Sequence, residues 1–238
     1  MDLNKVYNEE WYASRGDDSY KSALFYAKYL KELKFTPREI IDIGCGRGAW
    51  LKAFKDNGSK KLFGVDGPWN SEEKMIDSSI NFIPSELDKK FPIINKKFDL
   101  CISIEFAEHL PSTRSNDLID YLSDLSDVVL FSAAYIGQGG NNHINEQIHS
   151  FWGEIFNSKN FRVFDIFRHE FSGNGNINFW FRQNVFLYVK ENCSFYKNLI
   201  KKNIFPLKNL MFLDFVDPDL YFRTLNQAVK YYQLHNKI

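Results

Sequence analysis

Three side chains in the run Glu105-Phe106-Ala107-Glu108-His109 are of the types that move protons or hold cations. On a helical turn Glu105, Glu108 and His109 fall at i, i+3 and i+4, which puts two carboxylates and an imidazole on one face. Such a trio can line an active-site floor as acid–base groups. Completed by His143 or His149, it can instead hold a divalent ion, and two carboxylates suit Mg2+ or Mn2+ better than a soft metal. The metal-free reading is favoured; if an ion is present, its ligands are Glu105, Glu108, His109 and His143. The plain alternative for His109 is a helix-end imidazole satisfied by backbone. His143 lies in Gly137–Gln147, a loop dense in glycine and amides. A neutral imidazole near pH 7 suits a general base, so the candidate catalytic residues are His143 first, His109 second, and Glu108. The same loop also reads as a helix start, with Asn145 as cap ahead of inward-facing Ile148, Phe151 and Trp152.

A second group surrounds Gly44-Cys45-Gly46-Arg47-Gly48, a loop between a β-branched run and a helical one. Glycines there let backbone approach a ligand and present helix N-terminal amides. Gly44-x-Gly46-x-x-Ala49 also satisfies the dinucleotide fingerprint, so a nicotinamide enzyme is one reading. Asp42 argues against it, because a carboxylate two residues before the loop repels a pyrophosphate. It suits a ligand carrying ammonium and sulfonium cations. Asp66, ending the next strand, is placed to accept from ribose hydroxyls, and Glu86 from an adenine amino group, with Ser85 and Asp88 as competitors. The candidate cofactor contacts are Asp42, Gly44, Cys45, Gly46, Gly48, Asp66, Gly67, Glu86, Leu87 and Glu105.

These groups need a frame. Ser19–Leu33 carries Ala23, Tyr26, Ala27, Leu30 and Leu33 on one helical face. Strands are expected at 38–43, 61–66, 80–83, 98–104 and 127–132, with helices between, clearest at 116–125. That alternation predicts a mostly parallel sheet covered on both faces. Beyond residue 133 a helix is expected at 146–156 and strands at 161–167 and 184–189. From Cys193 the chain is lysine- and aromatic-rich, mildly basic and helical. The domain reading is a helical lid segment at 1–35, a central α/β domain at 36–190 and a helical appendage at 191–238.

Composition agrees. The 238 residues are 44% hydrophobic and 17% aromatic, which excludes a disordered chain. Thirty basic residues balance thirty acidic ones, so no global charge advertises a polyanion. No apolar run approaches the roughly 18 residues a bilayer span needs. Three cysteines without CxxC spacing fit neither a disulfide framework nor a zinc site. Without a basic leader and apolar stretch at the N-terminus, a soluble cytoplasmic protein is expected.

The runs Ile41-Asp42-Ile43-Gly44-Cys45-Gly46-Arg47-Gly48, Gly64-Val65-Asp66 and Phe98-Asp99-Leu100-Cys101-Ile102-Ser103, with Glu105 to Leu110 after them, resemble class I S-adenosylmethionine-dependent methyltransferases in order and spacing over residues 36–190. The resemblance implies a Rossmann-like seven-stranded α/β sandwich with N- and C-terminal helical additions. It also implies S-adenosyl-L-methionine as cofactor and S-adenosyl-L-homocysteine as product. By analogy Asp42 and the loop glycines hold the methionine part, Asp66 the ribose and Glu86 the adenine edge. Glu105 would stand near the sulfonium and His109 near the acceptor. With a metal, which could be Mg2+, the site is similar to that of small-RNA 3′-terminal 2′-O-methyltransferases and some ubiquinone-pathway O-methyltransferases. The loop 137–147 resembles, loosely, methyltransferases of bacterial capsule and surface-glycan pathways.

The expected function is therefore O-methylation of a small polar acceptor, a sugar or phosphorylated precursor of a surface polysaccharide. An RNA 2′-O-methyltransferase with a divalent metal is the second hypothesis, and a non-catalytic cofactor-binding subunit the third. Neither nucleic acid nor membrane is the expected partner, since no basic stripe interleaves the aromatics of Phe179–Asn184. Trp11, Tyr12, Arg15 and Tyr20 either fold over the cofactor or dock on the sheet. The aromatic tail, with Tyr221, Phe222, Tyr231 and Tyr232, either caps its own site or pairs two copies into a homodimer.

Overall fold

The computed structural model describes residues 9–235, with side chains from 17 to 234. Helix α1 (Glu9–Glu32) leads into β1 (Glu39–Ile43), α2 (Ala49–Asp56), β2 (Lys61–Asp66), β3 (Ile80–Pro84), β4 (Leu100–Ser103), α3 (Ser115–Leu125) and β5 (Val128–Phe131). Then come α4 (His149–Ser158), β6 (Phe161–Phe164), α5 (Phe167–Phe171), α6 (Phe179–Asn184), β7 (Phe186–Lys190), α7 (Ser194–Lys201) and α8 (Pro218–His235). Four short 3-10 segments intervene at 72–74, 107–109, 112–114 and 210–214.

The strands form one seven-stranded sheet in the order β3-β2-β1-β4-β5-β7-β6. The first five are parallel, and β7 runs antiparallel to both β5 and β6. Strands buried on both faces read as continuous apolar runs, and β4 and β5 are buried at every position. One apolar layer packs α1, α2, α5, α6 and α7 on the sheet, and a second packs α3, α4 and the 210–214 turn on the other face. Chain order reverses between β1 and β4, so a crevice opens beyond their C-terminal ends, the place where open α/β sheets bind ligands. The expected seven-stranded sandwich is the observed one.

Several boundaries differ from expectation. The first helix starts ten residues earlier than Ser19, at Glu9. The strand expected at 161–167 stops at Phe164, because Phe167–Phe171 turns helical and buries Phe167 and Phe171 against Tyr26 and Tyr29. The last strand begins at Phe186 rather than Asn184, since Phe179–Asn184 is itself helical. The helix expected from Glu146 begins at His149; Asn145 is a buried crosslink, donating to Ser115 Oγ and accepting from Gln147, and does not cap it. At the N-terminus the side chains of Trp11, Tyr12 and Arg15 lie outside the described residues, whereas the Tyr20 hydroxyl donates to Asp56 at the end of α2. No described helix is long and apolar enough to cross a membrane.

Candidate functional site

The loop after β1 is shaped by backbone sterics. Gly44, Gly46 and Gly48 all have positive φ, at 80°, 53° and 83°. A Cβ on Gly44 would lie 2.5 Å from the Phe106 ring, and one on Gly48 2.4 Å from Ile80. These two glycines therefore also let the loop close on its neighbours. Cys45 is buried, its sulfur filling the space that Gly64 leaves. Asp66 ends β2 with Oδ2 accepting from Gly46 N at 2.6 Å and Oδ1 from Gly67 N at 2.6 Å. Burial lifts its pKa to about 6, opposed by those two amides. Asp42 is 2% exposed, and its Oδ1 has no protein partner. Burial, then the neighbouring Asp66 charge, pushes its pKa well above the ordinary carboxylate range. A cationic group above the loop would relieve that desolvation. Leu87 is buried in the apolar layer under β2, and Glu86 stands exposed with its carboxylate 2.7 Å from Lys89 Nζ.

Beyond β4 the expected helical face does not form. Glu105 sits in the left-handed region at φ 50°, and only Ala107–His109 makes a 3-10 turn. The two glutamates consequently diverge. Glu105 Oε1 accepts from Ser132 Oγ (2.8 Å) and Asn184 Nδ2 (3.0 Å), and Oε2 from Gln138 Nε2 (3.0 Å). Its pKa is raised by burial, with these donors pulling it back. Glu108 is fully buried; its oxygens make no full hydrogen bond, and the main-chain amides of Glu108 and Ala134 face the carboxyl. Desolvation and then the Glu105 charge drive its pKa well upward, with those amides pulling it back.

Glu108, His109 and His143 each bring one donor atom to within 4.8 Å of the others. Glu105 does not belong to this cluster, which corrects the four-residue ligand set: its oxygens are spent on Ser132, Asn184 and Gln138. His149 is also excluded, buried in α4 with Nδ1 3.3 Å from Leu213 O and Nε2 3.4 Å from Ala133 O. His109 Nδ1 faces Asn142 O at 3.2 Å, which assigns the proton to Nδ1 and the lone pair to Nε2. Burial lowers its pKa to about 4, so it is neutral at pH 7.

His143 is held by a residue the sequence reading missed. Its Nδ1 lies 2.8 Å from Glu146 Oε1, and the same carboxylate accepts from Gly139 N (2.8 Å) and Gly137 N (2.9 Å). Glu146 thus locks the loop and the imidazole together. Gly140 completes the fit, for a Cβ there would meet His143 Nε2 at 2.2 Å. The loop is pinned to the β4 turn through Glu108 O, which accepts from the amides of Ile144 and Asn145. A Glu three residues after a His in a glycine-rich loop was the available signal for this pairing. Gln138 and Asn184, which hold Glu105, offered none, because Asn184 comes from a distant helix.

A family model described as a methyltransferase domain matches residues 17–160. The ubiquinone biosynthesis O-methyltransferase of Dictyostelium discoideum mitochondria is 28% identical over 101 residues, covering 36% of this chain and 31% of that protein. The alignment therefore spans about a third of that relative's length. Among solved structures, the Haloferax volcanii complex of the Trm112 methyltransferase activator with a methyltransferase aligns at TM-score 0.56 and 16% identity, covering 79% of this chain and 97% of that one. Magnesium protoporphyrin IX methyltransferase from Synechocystis PCC 6803, with bound SAH, aligns at TM-score 0.51 and 15% identity over 73% of this chain and 84% of that one. At such identities these likenesses establish the fold. The family match spans well over half of the chain, which therefore belongs to the methyltransferase-domain family.

Proposed function

We propose that this chain transfers a methyl group from S-adenosylmethionine to a hydroxyl of a small polar acceptor, such as a sugar or a phosphorylated sugar precursor. The observation that carries the reading is the His143–Glu146 pair facing Glu108 at the end of β4, beside the β1 loop. The buried, partnerless Asp42 Oδ1 fits a cationic amino-acid head, and each Asp66 oxygen keeps a lone pair for ribose hydroxyls. When bound, the cofactor supplies a methyl on a positively charged sulfur that leaves as a neutral thioether.

The protein's work is then to position and to take a proton. Glu146 accepts the Nδ1 proton of His143, which leaves the Nε2 lone pair to receive the proton of the acceptor hydroxyl as its oxygen gains the methyl. His109, with its pKa lowered to about 4 by burial, is a weak base. The partial likeness to a ubiquinone biosynthesis O-methyltransferase supports oxygen as the methylated atom.

A second reading rests on the same cluster. Glu108, buried and flanked by two imidazoles, could hold a divalent ion. Without Glu105 the donor set is one carboxylate and two nitrogens, which suits Mn2+, Fe2+ or Zn2+ better than Mg2+. Such an ion would lower the acceptor hydroxyl's pKa and take His143 out of the role of base. An RNA acceptor would show strongly salt-dependent binding.

The first test is calorimetric titration with S-adenosylhomocysteine, with Mn2+ and again with EDTA. It is followed by a screen of sugars, sugar phosphates and catechols for S-adenosylhomocysteine release. Binding in both conditions, with release stimulated by a polyol, supports the leading reading. Release abolished by EDTA and restored by Mn2+ selects the metal. No binding in either condition overturns both.

A further inference from the structure

Helix α8 leaves the domain with much of its apolar side exposed. Its root is held firmly: Leu213 and Leu220 are buried, and Arg168 donates to the carbonyls of Phe212, Leu213 and Phe215. Arg182 pairs with both Asp217 and Asp219. From Tyr221 to Leu234 every residue is exposed. A helix of 18 residues is only marginally stable alone in water, so an apolar stripe along it calls for a surface to cover it.

Tyr221, Leu225, Ala228 and Tyr232 recur at i, i+4, i+7 and i+11, the spacing of a coiled-coil seam, and Phe222 and Val229 widen one flank. The seam has a centre of symmetry between Asn226 and Gln227. About that point Tyr221 maps onto Tyr232 and Leu225 onto Ala228. A two-fold axis there, with the helices antiparallel, would set tyrosine against tyrosine and leucine against the small alanine. An isologous interface requires this self-complementarity. Arg223 and Lys230 lie on the opposite face by helical periodicity, so pairing brings no like charges together. That polar face is otherwise uncharged, with Thr224, Asn226, Gln227 and Gln233, and offers an anionic membrane little attraction.

We propose that α8 pairs antiparallel with α8 of a second copy of this chain. Tyr221, Phe222, Leu225, Val229 and Tyr232 are 56, 57, 43, 46 and 67% exposed. With roughly 150–250 Å2 per aromatic, the stripe amounts to roughly 500 Å2 per copy, so a pair would cover about 1,000 Å2 in total. That meets the lower limit for a specific contact and implies a weak, concentration-dependent dimer.

Sedimentation velocity of the full chain between about 1 and 200 μM should show a monomer–dimer equilibrium, with dimer dominant at the upper end. Leu225→Glu should give monomer at every concentration with an unchanged circular dichroism spectrum in the near ultraviolet, while Lys230→Glu, on the far face, should still dimerise. Register is read by mixing Leu225→Cys with Ala228→Cys chains, both carrying Cys193→Ser, under mild oxidation. Antiparallel pairing yields mixed crosslinks, and parallel pairing yields self-crosslinks of each variant. A monomer throughout, a dimer that survives Leu225→Glu, or self-crosslinks alone would overturn the proposal. So would a monomer that sediments with phosphatidylglycerol vesicles, which would give the stripe to a lipid surface.

Discussion

At the β1–β2 side of the cleft, Asp42, the glycine loop and Asp66 come from one strand–helix–strand stretch, and Asp66 is met by backbone amides. At the β4–β5 side, Glu105, Glu108, His109, His143, Glu146 and Asn184 are gathered from three separate segments, and their partners are largely side chains. A contact to backbone survives most substitutions of its neighbours, whereas a side-chain network fails when one member is removed. The first side is thus suited to hold a ligand common to many relatives, and the second to be re-tooled for a particular acceptor.

The largest effect should separate the two sides. With the acceptor that the screen returns, His143→Ala is expected to lower kcat by about 10²–10⁴-fold and leave S-adenosylhomocysteine affinity within about twofold. Asp42→Asn should do the reverse, weakening that affinity by about tenfold or more through loss of a charged acceptor. Equal losses of affinity in both variants would break the division, since it would mean that His143 supports the cofactor as well. Calorimetry beside steady-state rates reads both.

A sharper contrast lies between two glutamates three residues apart. Glu105→Ala leaves donors on Ser132, Gln138 and Asn184 without their acceptor and should cost about 3 kcal/mol in denaturant unfolding. Glu108→Gln replaces a buried carboxyl, whose ionisation burial opposes, by an isosteric amide, so it should melt no lower than the parent chain while losing turnover or metal response. If Glu108→Gln instead destabilised as strongly as Glu105→Ala, Glu108 would be a structural residue and the candidate site would lose its centre.

This pair also shows what could be read in advance. The β1 loop was legible because strand, glycines and helix are contiguous, and local sterics fix where Asp42 and Asp66 end up. The alternation of strands and helices likewise gave the sheet. Glu105 was not legible: spacing put it on one face with Glu108, but its left-handed backbone and three distant donors turn it away. Glu146 escaped notice because two of its partners are main-chain amides, which carry no side-chain signature. The strand edges at Phe167 and Asn184 were misplaced because runs such as Phe161–Phe167 are mostly apolar, and periodicity cannot tell a buried strand from a buried helical turn.

The smallest expected effect lies behind the β5 end of the cleft, at His149, where the imidazole is packed between Tyr135 and Phe186 with ring centroids 4.9 and 5.0 Å away. Burial, then the Arg168 charge, lowers its pKa to about 4 against an ordinary 6.5, although two carbonyls face its nitrogens. A folded-state pKa below the unfolded one means that the unfolded chain binds the proton first, so stability falls as pH drops through 6.5 toward 4. Between pH 6.5 and 5.5 this single group should cost about 1 kcal/mol. The buried carboxylates pull the other way in acid: Asp66, with its pKa near 6, favours the folded state as pH falls toward 4. The parent's total pH profile therefore mixes both signs, and only a difference isolates the imidazole. His149→Phe keeps the ring and removes the titration. The gap in unfolding free energy between the two chains should narrow, or cross over in favour of the variant, by about 1 kcal/mol from pH 6.5 to 5.5. A constant gap would show that His149 takes up its proton at the same pH in the folded and unfolded chains, and a gap that grows in the parent's favour would show an imidazolium already formed, with both carbonyls accepting from it.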